Sequence, residues 1–85
     1  MCQYLFKNNF GGIAMSFSKR LVELRKSRGV TQKQLAQAVD MSELGIQRYE
    51  YGTREPAFNK LIALADFFNV SLDYLVGRSD DPSRH

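Results

Sequence analysis

Apolar side chains recur along this chain at helical spacing, in short stretches separated by residues that cap or break helices. Phe17, Leu21 and Leu24 share one face of a first helix expected over Phe17–Arg28, with Lys19, Arg20, Glu23 and Lys26 opposite. Gly29 supplies a left-handed C-terminal cap. Thr31, with Gln34 three residues on, forms a capping box for a second helix whose inner face is Leu35, Ala36 and Val39. Val39-Asp40-Met41 reads as a turn, and Ser42 as the N-cap of a third helix that Gly52 ends. Pro56 marks the start of a fourth helix over Ala57–Phe68, with Phe58, Leu61, Ala65 and Phe68 on one stripe. Asn69 can take the left-handed position after it, and Ser71 caps a last short helix, Leu72–Val76, closed by Gly77.

No strand pattern, repeat or low-complexity run interrupts this series. Five short helices on short connections make an all-α fold, a compact five-helix domain. Its expected core is Phe17, Leu21, Leu24, Val30, Leu35, Ala36, Val39, Ile46, Tyr49, Phe58, Leu61, Leu64, Ala65, Phe68, Val70, Leu72 and Leu75. The domain is expected over residues 15–78, with 79–85 a polar, disordered tail. Residues 1–14 show no helical period, and Gly11-Gly12 breaks any structure begun by Tyr4-Leu5-Phe6. Codons for that glycine pair can spell a purine-rich ribosome-binding sequence ahead of Met15, so Met15 is the expected physiological start and 1–14 a translated leader. The alternative is a short strand or arm formed by residues 3–7.

Length and charge narrow the function. A chain of 85 residues is one small domain, large enough to fold alone, as domains of about 55–65 residues do. Cys2 has no partner for a disulfide, which fits a reducing cytoplasm. No window approaches the roughly 20 consecutive apolar residues of a membrane span, and the N-terminal residues lack the continuous apolar run and small-residue cleavage site expected of a secretory signal. The net charge of +3 is mild, but its distribution is uneven. Residues 17–60 carry nine basic against five acidic side chains, and residues 61–85 two against four, so a polyanion would favour the front. Catalysis is not expected: His85 and Cys2 lie outside the domain, Asp80-Asp81 reads as a solvated tail, and no metal-ligand cluster or cofactor motif is present.

The third helix carries the candidate chemistry. At the helical angle per residue, Glu43, Leu44, Gln47, Arg48 and Tyr51 occupy one arc of about 140°, with Gly45, Ile46 and Tyr49 on the other side. Arg can bond both acceptors of guanine, Gln can pair with adenine, Glu can accept from cytosine, and Leu can touch a thymine methyl. A polar helix face alone is usually solvated surface. Here a tight turn precedes it, Ala36 is small where two helices cross, and the helix start at Ser42 leaves N–H groups for a phosphate.

With FSKRLVELRKSRGVTQKQLA, IQRYEYGTREP and LIALADFFNVSLDYLVG in that order, the chain resembles the Cro/cI-type helix-turn-helix family of phage repressors and their bacterial relatives, also called the XRE family. The resemblance covers Phe17 to Gly77 and implies a lambda-repressor-like fold with the second and third helices as the helix-turn-helix. It implies that Gln32 bonds a backbone phosphate and braces the recognition helix, and that Ser42, Glu43, Leu44, Gln47 and Arg48 face the groove. Thr53 and Arg54 match the loop that meets phosphate, while Arg25 and Glu50 match a structural salt bridge. Lys33 is a candidate phosphate contact, with a solvated lysine as the equal alternative. Asp40 departs from the glycine often found in the turn, and Gly45 costs roughly 1 kcal/mol relative to Ala inside a helix. Gly45 either permits close backbone approach to DNA or, the favoured reading, is simply tolerated. Glu43 repels phosphates, so it either reads a cytosine or discriminates against wrong sites.

The resulting expectation is a cytoplasmic, bacterial or phage-encoded transcriptional regulator, a repressor, that binds a palindromic operator in double-stranded DNA as a homodimer. Phe67, Tyr74, Leu75 and Val76 are candidates for the dimer contact, although Leu75 is better placed to finish the core. The alternative is an antitoxin of the same fold, with a toxin as its protein partner.

Overall fold

Capping side chains set where each helix begins in the computed structural model, which describes residues 16–84. The helices are α1 (Phe17–Ser27), α2 (Gln32–Ala38), α3 (Glu43–Tyr51), α4 (Phe58–Phe68) and α5 (Leu72–Leu75), and no strand occurs among the described residues. Ser16, Ser42 and Ser71 each accept a hydrogen bond from the backbone N–H three residues on. At α2 the capping box is complete: Thr31 Oγ1 accepts from Gln34 N at 3.0 Å, and Gln34 Oε1 accepts from Thr31 N at 2.9 Å. α4 starts at Ala57 without a side-chain cap. Gly52 ends α3 at φ 80°, and a Cβ there would stand 3.2 Å from Ser18 Oγ, so both the backbone and the space favour glycine. The boundaries fall within one residue of the sequence expectation.

The helices close around one core, in which Leu21, Leu35, Ile46, Leu64, Phe68 and Leu75 are fully enclosed. Phe17, Val30, Leu61 and Leu72 pack against it from its margin. Phe58 departs from its expected core position and is 68% exposed. It is the first residue of α4, where side chains lean toward the helix N-terminus and so away from the body of the domain.

Arg20 departs in the other direction. Expected on the polar face of α1, it is buried, with its guanidinium 3.9 Å from the centre of the Tyr74 ring and its Nη2 3.3 Å from Asp80 Oδ1. A cation over an aromatic face with its stem on apolar surface is a stable way to enclose arginine. Asp80 belongs to the polar segment after Gly77, which folds back on the domain. Ser71 N donates to Pro82 O at 3.1 Å, and Arg84 donates to Ala65 O at 3.0 Å and to Asp66 Oδ1 at 2.7 Å. Ala65 O in the last turn of α4, which also accepts from Val70 N, thus gains a further donor from beyond α5. The Met15 start and the leader or arm expected over 1–14 lie outside the described residues. Among the described residues, no helix is long and apolar enough to cross a membrane.

Core truncation and helix-start truncation should separate cleanly. Leu64→Ala is expected to lower stability by about 2–5 kcal/mol, and Phe58→Ser by less than about 0.5 kcal/mol. Urea unfolding midpoints of the two variants measure both.

Candidate nucleic-acid interface

The turn between α2 and α3 decides where the α3 face points. α2 ends with Met41 N donating to Ala36 O at 2.8 Å, a six-residue closure that places Asp40 at φ 58°. Asp tolerates this left-handed conformation better than most side chains, which is why the turn forms without glycine. Ser42 then opens α3, with its Oγ accepting from Gly45 N at 3.1 Å.

α3 has one buried side and one open side. Gly45, Ile46 and Tyr49 are buried, and Tyr49 meets Phe17 of α1 edge-on at 6.0 Å between ring centres. Ser42, Glu43, Leu44, Arg48 and Tyr51 are exposed, and Gln47 is half-buried beside them. Among the described residues, the Gln47 and Arg48 side chains form no hydrogen bond or ion pair, so both remain available to a ligand. Gly45 lies on the inner side, so it does not offer its backbone to the open face. A Cβ there would meet only the mobile methyl end of Met41 at 2.8 Å and Ser42 Oγ at 3.4 Å. This is consistent with a glycine that is tolerated.

Around α3 the remaining candidates take distinct places. Thr53 stays at the helix end, where its N and Oγ1 both donate to Arg48 O, at 3.0 and 3.3 Å. Arg54 is exposed beyond it, with its guanidinium 5.9 Å from the centre of the Tyr49 ring. Lys33 is exposed in the first turn of α2. Gln32 Nε2 donates to Glu50 Oε1 at 2.9 Å. That bond uses one of its two amide hydrogens and leaves the other for a further acceptor.

Glu50 is the centre of a network that the sequence marks only in part. Arg25 Nε and Nη2 reach its two oxygens at 2.5 and 3.2 Å, and Arg25 Nη1 donates to Val30 O at 3.0 Å. Side-chain exposure is 13% for Arg25 and 6% for Glu50, so the pair lies largely out of water. The Gln32–Glu50 bond could not be read from spacing, because the two residues meet only once α2 and α3 have packed.

Comparison with known proteins points the same way. The helix-turn-helix family HTH_3 matches residues 21–75. The chain is 38% identical over 66 residues to the HTH-type transcriptional regulator ImmR of Bacillus subtilis, covering 78% of this chain and 52% of that protein. It is 34% identical over 64 residues to the cryptic phage CTXphi transcriptional repressor RstR of Vibrio cholerae, covering 75% of this chain and 57% of that one. The chain thus spans about half the length of these curated relatives. Among solved structures, the P22 c2 repressor bound to a synthetic operator superposes with a TM-score of 0.72 at 28% identity, over 76% of this chain and 98% of that one.

The buried pair makes a quantitative test. Taking two charges out of water is costly, so a pair of this kind adds little net stability, but stranding one member is expensive. Arg25→Met should cost about 3–5 kcal/mol, because Glu50 keeps only the Gln32 amide. Combining it with Glu50→Leu should recover most of that loss in urea unfolding. A double variant as unstable as the single one would contradict the account.

Proposed function

The chain belongs to the helix-turn-helix family, and on that premise we propose that it is a sequence-specific DNA-binding regulator of transcription, acting as a repressor. The observation that carries this reading is the division of α3. One side is locked into the core, while the other offers Glu43, Leu44, Gln47 and Arg48 with their polar groups free of the domain. An α-helix fits the major groove, where an amide and a guanidinium can each bond a base in bidentate fashion. Gln47 and Arg48 are the principal base readers. Ser42 and the open start of α3, the spare amide hydrogen of Gln32, and Lys33 and Arg54 set the position on phosphates, while Thr53, whose two donors both go to Arg48 O, braces the loop that carries Arg54. Glu43 discriminates by accepting from cytosine where one is present and repelling phosphate elsewhere.

One such domain reads only a few base pairs. The operator is therefore two-fold symmetric, bound by a homodimer with recognition helices about 34 Å apart. Of the candidates for the dimer contact, Leu75 is fully buried and completes the core, whereas Phe67 is 39% exposed and remains available. Tyr74 lies under the Arg20 guanidinium, and Val76 is half-buried. The site of action is the bacterial cytoplasm, where the DNA is.

Two arginines separate base reading from positioning. Arg48→Ala is expected to weaken binding to the selected operator by about 1–3 kcal/mol and to relax one base preference. Arg54→Ala should weaken all duplexes alike and lower the slope of log affinity against log salt by about one unit. Fluorescence anisotropy on operator and unrelated DNA across a salt series checks both, and indistinguishable behaviour of the two variants would overturn this assignment.

A further inference from the structure

Lys60 sits in the first turn of α4, outside both helices of the helix-turn-helix, yet its ammonium reaches back to the turn between them. Lys60 Nζ donates to Val39 O at 2.9 Å and to Asp40 O at 3.1 Å. These carbonyls follow the last residue of α2, where the helix has run out of its own donors. Neither accepts a backbone hydrogen bond from the rest of the turn. A cation at this point also opposes the negative end of the α2 dipole. The turn needs such support: Asp40 is held at φ 58°, and the Asp40 N–Gln37 O contact that accompanies it is long, at 3.4 Å.

We propose that Lys60 is a positioning residue for DNA recognition, fixing the turn from which α3 projects and so the angle at which Gln47 and Arg48 are presented. The leverage follows from helix geometry. Gln47 and Arg48 are the fifth and sixth of the nine residues of α3, about 6–8 Å along its axis, so a rotation of about 10° at the helix start moves their backbone by about 1 Å. Base readout depends on hydrogen bonds that hold only within a few tenths of an ångström, so a displacement of this size breaks them. Contacts with phosphates through flexible lysine and arginine stems adjust to the same displacement. Loss of Lys60 therefore reduces the preference for the operator over other DNA rather than affinity for DNA as such. Lys60 touches no base in this account; it acts through the backbone of Val39 and Asp40.

This inference rests on the DNA-binding reading, and the test keeps the two apart. The wild type, Lys60→Met (same stem, no charge) and Lys60→Arg are compared by amide hydrogen exchange of the free protein. Their affinities are then measured for the DNA site selected by the wild type and for an unrelated duplex. Lys60→Met is expected to speed exchange at Asp40 and Met41 and to lower operator affinity about tenfold, the scale of a lost charge-assisted hydrogen bond. Affinity for the unrelated duplex and the salt slope should stay near the wild-type values. Lys60→Arg should restore most of the preference. An unchanged ratio of operator to unrelated binding in a folded Lys60→Met protein would leave Lys60 with a stability role alone and overturn the proposal. So would an equal loss on both duplexes with a salt slope lower by about one unit, the mark of a direct phosphate contact. A wild type that selects no sequence overturns the DNA-binding reading itself, and the exchange data then still decide whether Lys60 holds the turn.

Discussion

Glu50 is the point at which three helices are tied together. Its carboxylate receives Arg25 from α1 and Gln32 from α2, and Arg25 extends the network to the carbonyl of Val30 in the connection between them. Apolar packing alone would hold α3 against the domain but leave it freedom to slide and roll, because burial is not directional. Charge-assisted bonds with fixed geometry remove that freedom. At 6% side-chain exposure the carboxylate has little water to fall back on, so the arrangement is close to all-or-none.

With the buried side of α3 fixed in this way, its open side can be committed to a ligand. Ile46 and Tyr49 hold the helix down, while Gln47 and Arg48 keep their hydrogen-bonding groups out of the domain's own network. A functional surface works best when its supporting groups are rigid and separate from the groups that make contact. Here the support comes from two directions. The Glu50 network holds the C-terminal half of α3, and Lys60 holds the turn at its N-terminal end. Both supports use polar side chains to satisfy groups that helix geometry leaves open or buried.

The local features were legible in the sequence because they depend on neighbours a few residues apart. Thr31 with Gln34, Ser42, Gly52, Asn69 and Ser71 each act within one turn of helix, and each occupies the cap expected of it. The apolar stripes of α1, α2 and α3 likewise follow from periodicity alone. What escaped is what depends on partners distant along the chain. Arg20 reads as a surface residue, but its guanidinium lies over the Tyr74 ring and meets the exposed carboxylate of Asp80, sixty residues away along the chain. Phe58 reads as core from its stripe, but its place at the very start of α4 turns it outward. The polar segment after Gly77 reads as free chain, yet Pro82 and Arg84 bind backbone groups of Ser71 and Ala65. For the candidate site, periodicity separated the two sides of α3, whereas the roles of Gln32 and Arg54 rest on family resemblance. The contact between Lys60 and the turn has no local sequence signal at all.

The central claim is that the open side of α3 chooses the DNA sequence while the rest of the domain only presents it. Selection of bound duplexes from a random pool, carried out with the wild type and with a Gln47→Arg/Arg48→Gln exchange, addresses it most directly. The exchange keeps composition and charge and leaves Glu50 and Lys60 in place. The account predicts a two-fold symmetric site for the wild type, and for the exchanged protein a site with the same half-site spacing but different bases at the positions these side chains reach. Recovery of the same sequence by both proteins, or of no sequence by the wild type, would contradict it.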